Sequence, residues 1–188
     1  MDLVDGRGGS HRKPIESGTP SAQALATISR YLATMPDPSQ RPLLFLDVDG
    51  PLIPFGASPR HQTAGHRTYP STLDPSETHA NPLLARIDPA HGPKLAALPC
   101  DLLWATTWAE EANDCIAPRL GLPPLPVVEW PEPSEDDERD VRSGLHWKTR
   151  ALVGWAAGRA FVWVDDEITD RDRDWVAARH GRSALLHR

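Results

Sequence analysis

An α/β domain built on a mostly parallel sheet is what this sequence predicts, and three observations carry the prediction. Apolar runs of strand length, Leu43–Leu46, Leu102–Thr106 and Ala160–Val164, alternate with segments whose apolar residues recur at helical spacing. The runs are apolar at successive positions, which marks strands covered on both faces. Each run also ends in polar residues, namely Asp47-Val48-Asp49-Gly50, Thr106-Thr107 and Asp165-Asp166. Ligands of open parallel sheets collect beyond those carboxyl ends.

In chain order, residues 1–20 are rich in Gly, Ser, Pro and charge with little to bury, which predicts a disordered or loosely attached segment. From Ser21, a candidate N-cap, Leu25, Ile28, Leu32 and Met35 recur at helical spacing until Pro36 and Pro38 stop the helix. Residues 21–38 therefore read as an N-terminal helical extension, and the α/β domain occupies 39–188. Its first strand is Leu43–Leu46. The stretch 51–82 carries Pro, Gly, His and Thr with isolated apolar positions and predicts a long irregular loop. His61, His66, His79 and His91 lie in or after it at spacings that match no metal-site signature.

A short helix near Pro89–Leu98 leads into the second strand, Leu102–Thr106. Trp108–Ile116 reads as the following helix, ended by Gly121 and the prolines at 123, 124 and 126. Leu125–Val128 is a candidate third strand, and the acidic, proline-containing 129–142 reads as a solvated surface loop. Trp147–Ala157 is a helix closed by Gly158, and Ala160–Val164 is the fourth strand. A helix near Asp172–Arg179 and a short strand, Ser183–Leu186, complete the chain. This succession predicts a three-layer α/β/α sandwich around a mostly parallel, Rossmann-like sheet.

Composition narrows the function classes. With 188 residues the chain is long enough for one well-buried domain, and 39% hydrophobic with 24% charged residues describes an ordinary globule. A net charge of −6 weighs against a broad nucleic-acid groove without excluding a locally positive pocket. Cys100 and Cys115 suggest neither a disulfide framework nor a zinc site and read as reduced residues among apolar neighbours. The N-terminus shows no signal-peptide pattern, and no run reaches the roughly 20 apolar residues of a membrane helix. The expectation is a cytoplasmic protein with no membrane partner.

The polar residues at the strand ends form a constellation. Asp47 and Asp49, two positions apart on an extended strand, point to the same side. Thr106 and Thr107 close the second strand, Lys148 opens a helix, and Asp165-Asp166 follow the fourth strand. Any one of them could be a cap or turn residue. Carboxylates gathered together repel one another unless neutralised, and a divalent magnesium ion with oxygen ligands is the economical solution. Trp108, Trp147 and Trp163 read as local packing, and Glu111 and Asn113 as exposed helix positions.

In order and type these residues resemble the motifs of the haloacid dehalogenase-like hydrolase superfamily. Asp47-Val48-Asp49-Gly50 is similar to its first motif, Thr106 to the second, Lys148 to the third and Asp165-Asp166 to the fourth, so the resemblance runs from about Pro42 to Leu186. Leu103–Trp108, Trp147–Arg150 and Val162–Glu167 are similar to a little-characterised branch near phosphatase-like domains predicted for RNA repair. A receiver-type phosphoacceptor also uses Asp, Thr and Lys around magnesium, but its acidic pair precedes the phosphorylated Asp.

The resemblance implies a magnesium-dependent phosphohydrolase that works through an aspartyl-phosphate. Asp47 would be the nucleophile, Asp49 the general acid and base, and Thr106 and Lys148 would stabilise the transferring phosphoryl group. Magnesium would be held by Asp47, the backbone carbonyl of Asp49 and the pair Asp165 and Asp166, with Asp166 the preferred ligand. Neither 51–101 nor 108–147 shows a core of its own, so the cap domain is expected to be minimal or absent and the site open to a bulky substrate. A phosphorylated nucleic-acid end is one candidate partner, with Arg60, Arg67, Arg119 and Arg150 as phosphate contacts; a phosphoprotein or small phosphate ester is another. The alternative is a non-catalytic magnesium- and phosphate-binding module in a repair or regulatory complex.

Overall fold

The structure is a computed structural model that describes residues 22–35, 40–54, 68–69, 81–132 and 134–188. The expectations for residues 1–20, for the Ser21 cap, for Pro36 and Pro38, and for most of the 51–82 loop with His61, His66 and His79 lie outside those residues.

The chain enters through α1 (Ala22–Ala33), runs into β1 (Leu43–Leu46), and reaches α2 (His91–Ala96) through a 3-10 turn at Pro82–Arg86. Next come β2 (Asp101–Trp104), a π turn at Ala112–Ile116 continuing as α3 (Ala117–Leu120), α4 (Glu135–Arg142) and α5 (Lys148–Ala156). β3 (Phe161–Val164), α6 (Asp170–His180) and β4 (Ala184–His187) follow. The four strands pair in the order β2-β1-β3-β4, and every pairing is parallel.

Helices flank both faces of this sheet because successive side chains on a strand point to opposite sides. Leu44, Leu46, Val162 and Val164 face one way and pack with Leu25, Ile28 and Leu32 of α1, Leu95 of α2 and Leu120 of α3. Leu43, Phe45, Phe161 and Trp163 face the other way, against Leu152 and Ala156 of α5 and Val176 of α6. Phe45, Phe161 and Trp163 are fully buried, and each such side chain contributes about 1.5–3 kcal/mol relative to exposure. The expected packing of Trp163 therefore holds, and α1 shares the main core.

The strand order also positions the site. From β1 the chain moves outward to β2, then returns past β1 to β3, so the direction of winding reverses between β1 and β3. The crevice beyond the carboxyl ends at such a reversal is where open α/β sheets bind ligands. Asp47 leaves β1 and Asp165 leaves β3 at that place, with the Asp47 N–H donating to Val164 O at 3.0 Å.

Three elements differ from expectation. Leu125–Val128 forms only an isolated parallel bridge, Val127 to Trp104, since Pro124 and Pro126 have no N–H with which to extend a ladder. Residues 135–142, expected as loop, are α4, whose Ser134 and Asp137 form a reciprocal capping box. The helix after β2 begins later and ends later than Trp108–Ile116, with Gly121 stopping it at φ +66°. Asn113, expected to be exposed, accepts from Trp104 Nε1 at 2.9 Å and Leu125 N at 2.8 Å and so stitches this turn to the segment beyond.

Cys100 and Cys115 are free thiols, and burial pushes Cys100 up to about 12. Among the described residues no helix is long and apolar enough to cross a membrane.

Candidate functional site

Lys148, the first residue of α5, is buried, and its ammonium bridges two buried carboxylates from neighbouring strands. Nζ lies 3.1 Å from Asp47 Oδ2 and 2.9 Å from Asp165 Oδ2. The second oxygen of each acid is tied to its own turn. Asp47 Oδ1 accepts from Val48 N at 2.9 Å, and Asp165 Oδ1 accepts from Glu167 N at 2.9 Å.

The turn after β1 brings the rest of the motif into place. Leu52 N and Ile53 N both donate to Val48 O, Gly50 N donates to Ile53 O, and Asp49 bridges Ile53. Gly50 has φ +83°, a conformation that L side chains rarely adopt. A Cβ at Gly50 would lie 2.1 Å from Asp166 Cγ, so the Asp166 carboxylate occupies the space that the missing side chain leaves. Asp49 is half-buried, and Trp108 Nε1 lies 3.2 Å from each of its carboxylate oxygens.

These groups open into a cavity of about 300 Å³ lined by Asp47, Asp49, Gly50, Thr107, Trp147, Lys148, Asp166 and Glu167. Asp47, Asp49, Lys148 and Asp166 thus all line this one cavity. Thr106 is buried and does not line it. Its hydroxyl accepts from Trp108 N at 3.3 Å and its carbonyl from Trp130 Nε1 at 3.3 Å, while the exposed Thr107 faces the cavity. Trp108 serves Asp49 and Thr106 rather than packing alone, and Trp147, expected as packing, lies at the surface. His91 is buried within α2 and does not line the cavity. Arg150 and Arg119 do not line it either.

The electrostatics show a surplus of negative charge. Burial, followed by the repulsion of Asp165, raises Asp47 to about 7 despite the opposing pull of Lys148. Asp166 is also raised, chiefly by burial and then by Asp165. One ammonium does not satisfy three carboxylates. Asp47, Asp165 and Asp166 each offer an oxygen within 4.8 Å of the others, a donor set that suits a hard divalent cation.

A second group, His146, Asp165 and Glu167, also brings potential ligand atoms together. There the His146 Nδ1 accepts from Lys148 N at 3.2 Å, which assigns the neutral ring's proton to Nε2, 3.2 Å from Glu167 Oε2. These contacts of His146 also hold the loop after β3 against the start of α5.

Asp172 anchors that start from behind. Its Oδ1 accepts from His146 N at 2.7 Å and Thr149 Oγ1 at 2.6 Å, and its Oδ2 from Thr169 N at 2.8 Å. Burial works to raise this carboxyl, but the hydrogen bonds outweigh it and hold it below the usual range. Lys148 is therefore clamped through residues on either side. Neither His146 nor Asp172 was singled out from the sequence; for Asp172 the signal was the Thr169-x-x-Asp172 capping box.

Compared with known proteins, the chain matches no family model, no curated protein and no solved structure.

Proposed function

We propose that this chain is a magnesium-dependent phosphomonoesterase that uses Asp47 as nucleophile, in the manner of the haloacid dehalogenase-like hydrolases its motif order resembles. The observation that carries the reading is the buried Asp47–Lys148–Asp165 arrangement beside Asp49 and Asp166 at the winding reversal of a parallel sheet.

The residues fit a divalent cation. Asp47 and Asp166 face the cavity and would hold it with the Asp49 backbone carbonyl, while Asp165, occupied by Lys148 and Glu167 N, would orient the site. Magnesium, when bound, supplies the charge neutralisation that lets an anionic nucleophile approach a phosphate dianion.

The chain's own groups account for the proton and bond changes. An Asp47 oxygen attacks phosphorus in line, the phosphorus–oxygen ester bond breaks, and Asp49 gives its proton to the departing oxygen. Asp49 then takes a proton from water as the water oxygen attacks phosphorus. The bond to Asp47 breaks, and inorganic phosphate leaves. Trp108 Nε1 fixes the Asp49 carboxylate where both transfers are needed. Lys148 opposes the burial that raises the Asp47 carboxyl and lies beside the transferring group as a point charge, and Thr107 offers its hydroxyl from the turn that Thr106 orders.

The test is phosphate release from a panel of phosphomonoesters with and without magnesium. The expected result is release that stops on chelation and in Asp47→Asn. Magnesium binding with no turnover of any ester would favour a binding module, and undiminished turnover in Asp47→Asn would remove the nucleophile.

A further inference from the structure

Beside the acidic cavity lies a second and larger space, a groove of about 740 Å³ between α4 and α5. Its walls include Trp130, Val141, Trp147, Arg150 and Trp155. Val141, Trp147 and Trp155 are the exposed large hydrophobic side chains among the described residues, at 51%, 41% and 40% exposure. They are not scattered, because all three face this one groove.

Trp147 lines the groove and the acidic cavity alike, so the two spaces share a wall immediately before Lys148 in the chain. That wall is braced. Trp130 meets Trp147 edge-on, with ring centroids 4.8 Å apart, and Trp130 Nε1 donates to Thr106 O in the turn after β2. On the far side Trp155 rests edge-on against the core ring of Phe45 at 5.8 Å. Rigid indoles of this kind present flat apolar surface at little entropic cost.

The charges around the groove do not favour a polyanion. Arg150 is paired with Asp140 and Asp137, and Arg142 with Glu138, and Glu129 adds a further negative charge to the lining. A nucleic-acid strand would bring further phosphates against acids and already paired arginines.

We propose that this groove binds the flat aromatic leaving group of the substrate, so that the enzyme acts on compact aryl phosphomonoesters. The inference rests on the phosphomonoesterase reading of the adjoining cavity. The phosphate sits in the acidic cavity and the aromatic body lies along Trp147, where the cavity adjoins the groove, and hydrolysis releases an aromatic alcohol.

Naphthyl phosphate, glycerol phosphate and a phosphate-ended oligonucleotide are the probes. The wild-type protein is expected to favour naphthyl over glycerol phosphate in kcat/KM by about tenfold or more, and that ratio should fall about tenfold in Val141→Asp and in Trp155→Ala. Val141 is an exposed α4 position, so its variant retains the fold even where loss of the Phe45 contact unsettles Trp155→Ala. Quenching of tryptophan fluorescence by naphthyl phosphate in Asp47→Asn reads binding without turnover. Binding that Val141→Asp abolishes, in a protein that turns over no ester, would uphold the aromatic site and overturn the phosphatase reading. A ratio unmoved by both groove variants, or preferred turnover of the oligonucleotide, would overturn the aromatic site and leave the phosphatase reading intact.

Discussion

The carboxylate of Asp166 lies so close over the Gly50 backbone that a Cβ on Gly50 would fall 2.1 Å from Asp166 Cγ and 2.2 Å from its Oδ1. Two motifs more than a hundred residues apart in sequence thus share one small volume, which only glycine leaves open. Gly50→Ala should displace Asp166 and weaken magnesium binding about tenfold or more. Calorimetric titration with magnesium measures this, and an unchanged affinity would dissociate Asp166 from the metal.

Lys148 stands between two buried acids, and its removal leaves both without their cation. Lys148→Met should cost about 3–5 kcal/mol of folding stability, read from denaturant unfolding, together with any phosphatase activity. A variant of wild-type stability would mean that Asp47 and Asp165 do not depend on this ammonium.

Asp172 gives a pH dependence of definite sign. Its folded carboxyl titrates below the ordinary value of 3.8, so its stabilisation is complete above that value and is lost as pH falls through the folded pKa. At neutral pH, Asp172→Asn should cost about 2 kcal/mol through loss of charged hydrogen bonds. The gap between variant and wild type should close as the pH is lowered below 3.8. Thermal melts of both proteins across the acid range measure it, and a gap that widens toward low pH would contradict the assignment.

The fold was legible wherever burial left a continuous apolar run. Leu43–Leu46 and Phe161–Val164 are buried at every position, so no second reading competed with strand. Leu125–Val128 also reads as strand, but Pro124 before it and Pro126 within it allow only one bridge. α4 escaped notice because it has a single apolar residue, Val141, and hence no periodicity; its capping box was the available signal.

For the candidate site, Asp47, Asp49, Lys148 and Asp166, singled out from the sequence by their motif order, all line one cavity. What that order could not convey was side-chain geometry. That Thr107 rather than Thr106 faces the cavity depends on the course of the turn after β2. The tie from Trp108 to Asp49 spans 59 residues, and Trp147 is exposed where it lines the groove between α4 and α5.

Metal should bind the folded state alone, because the three acids converge only there. At magnesium near a hundred times its Kd, stability should rise by about 2.7 kcal/mol, seen as an increase in Tm. Asp166→Asn should abolish most of that increase, and a variant that responds as the wild type does would place the ion elsewhere.

In the proposed reaction Asp47 carries the phosphoryl group. Quenching a single turnover and reducing the acyl phosphate with borohydride, followed by peptide mass spectrometry, reads the modified position directly. Reduction is expected at residue 47, absent without magnesium and absent in Asp47→Asn. Phosphate release at the full wild-type rate with residue 47 unmodified, or trapping at another side chain, would contradict it.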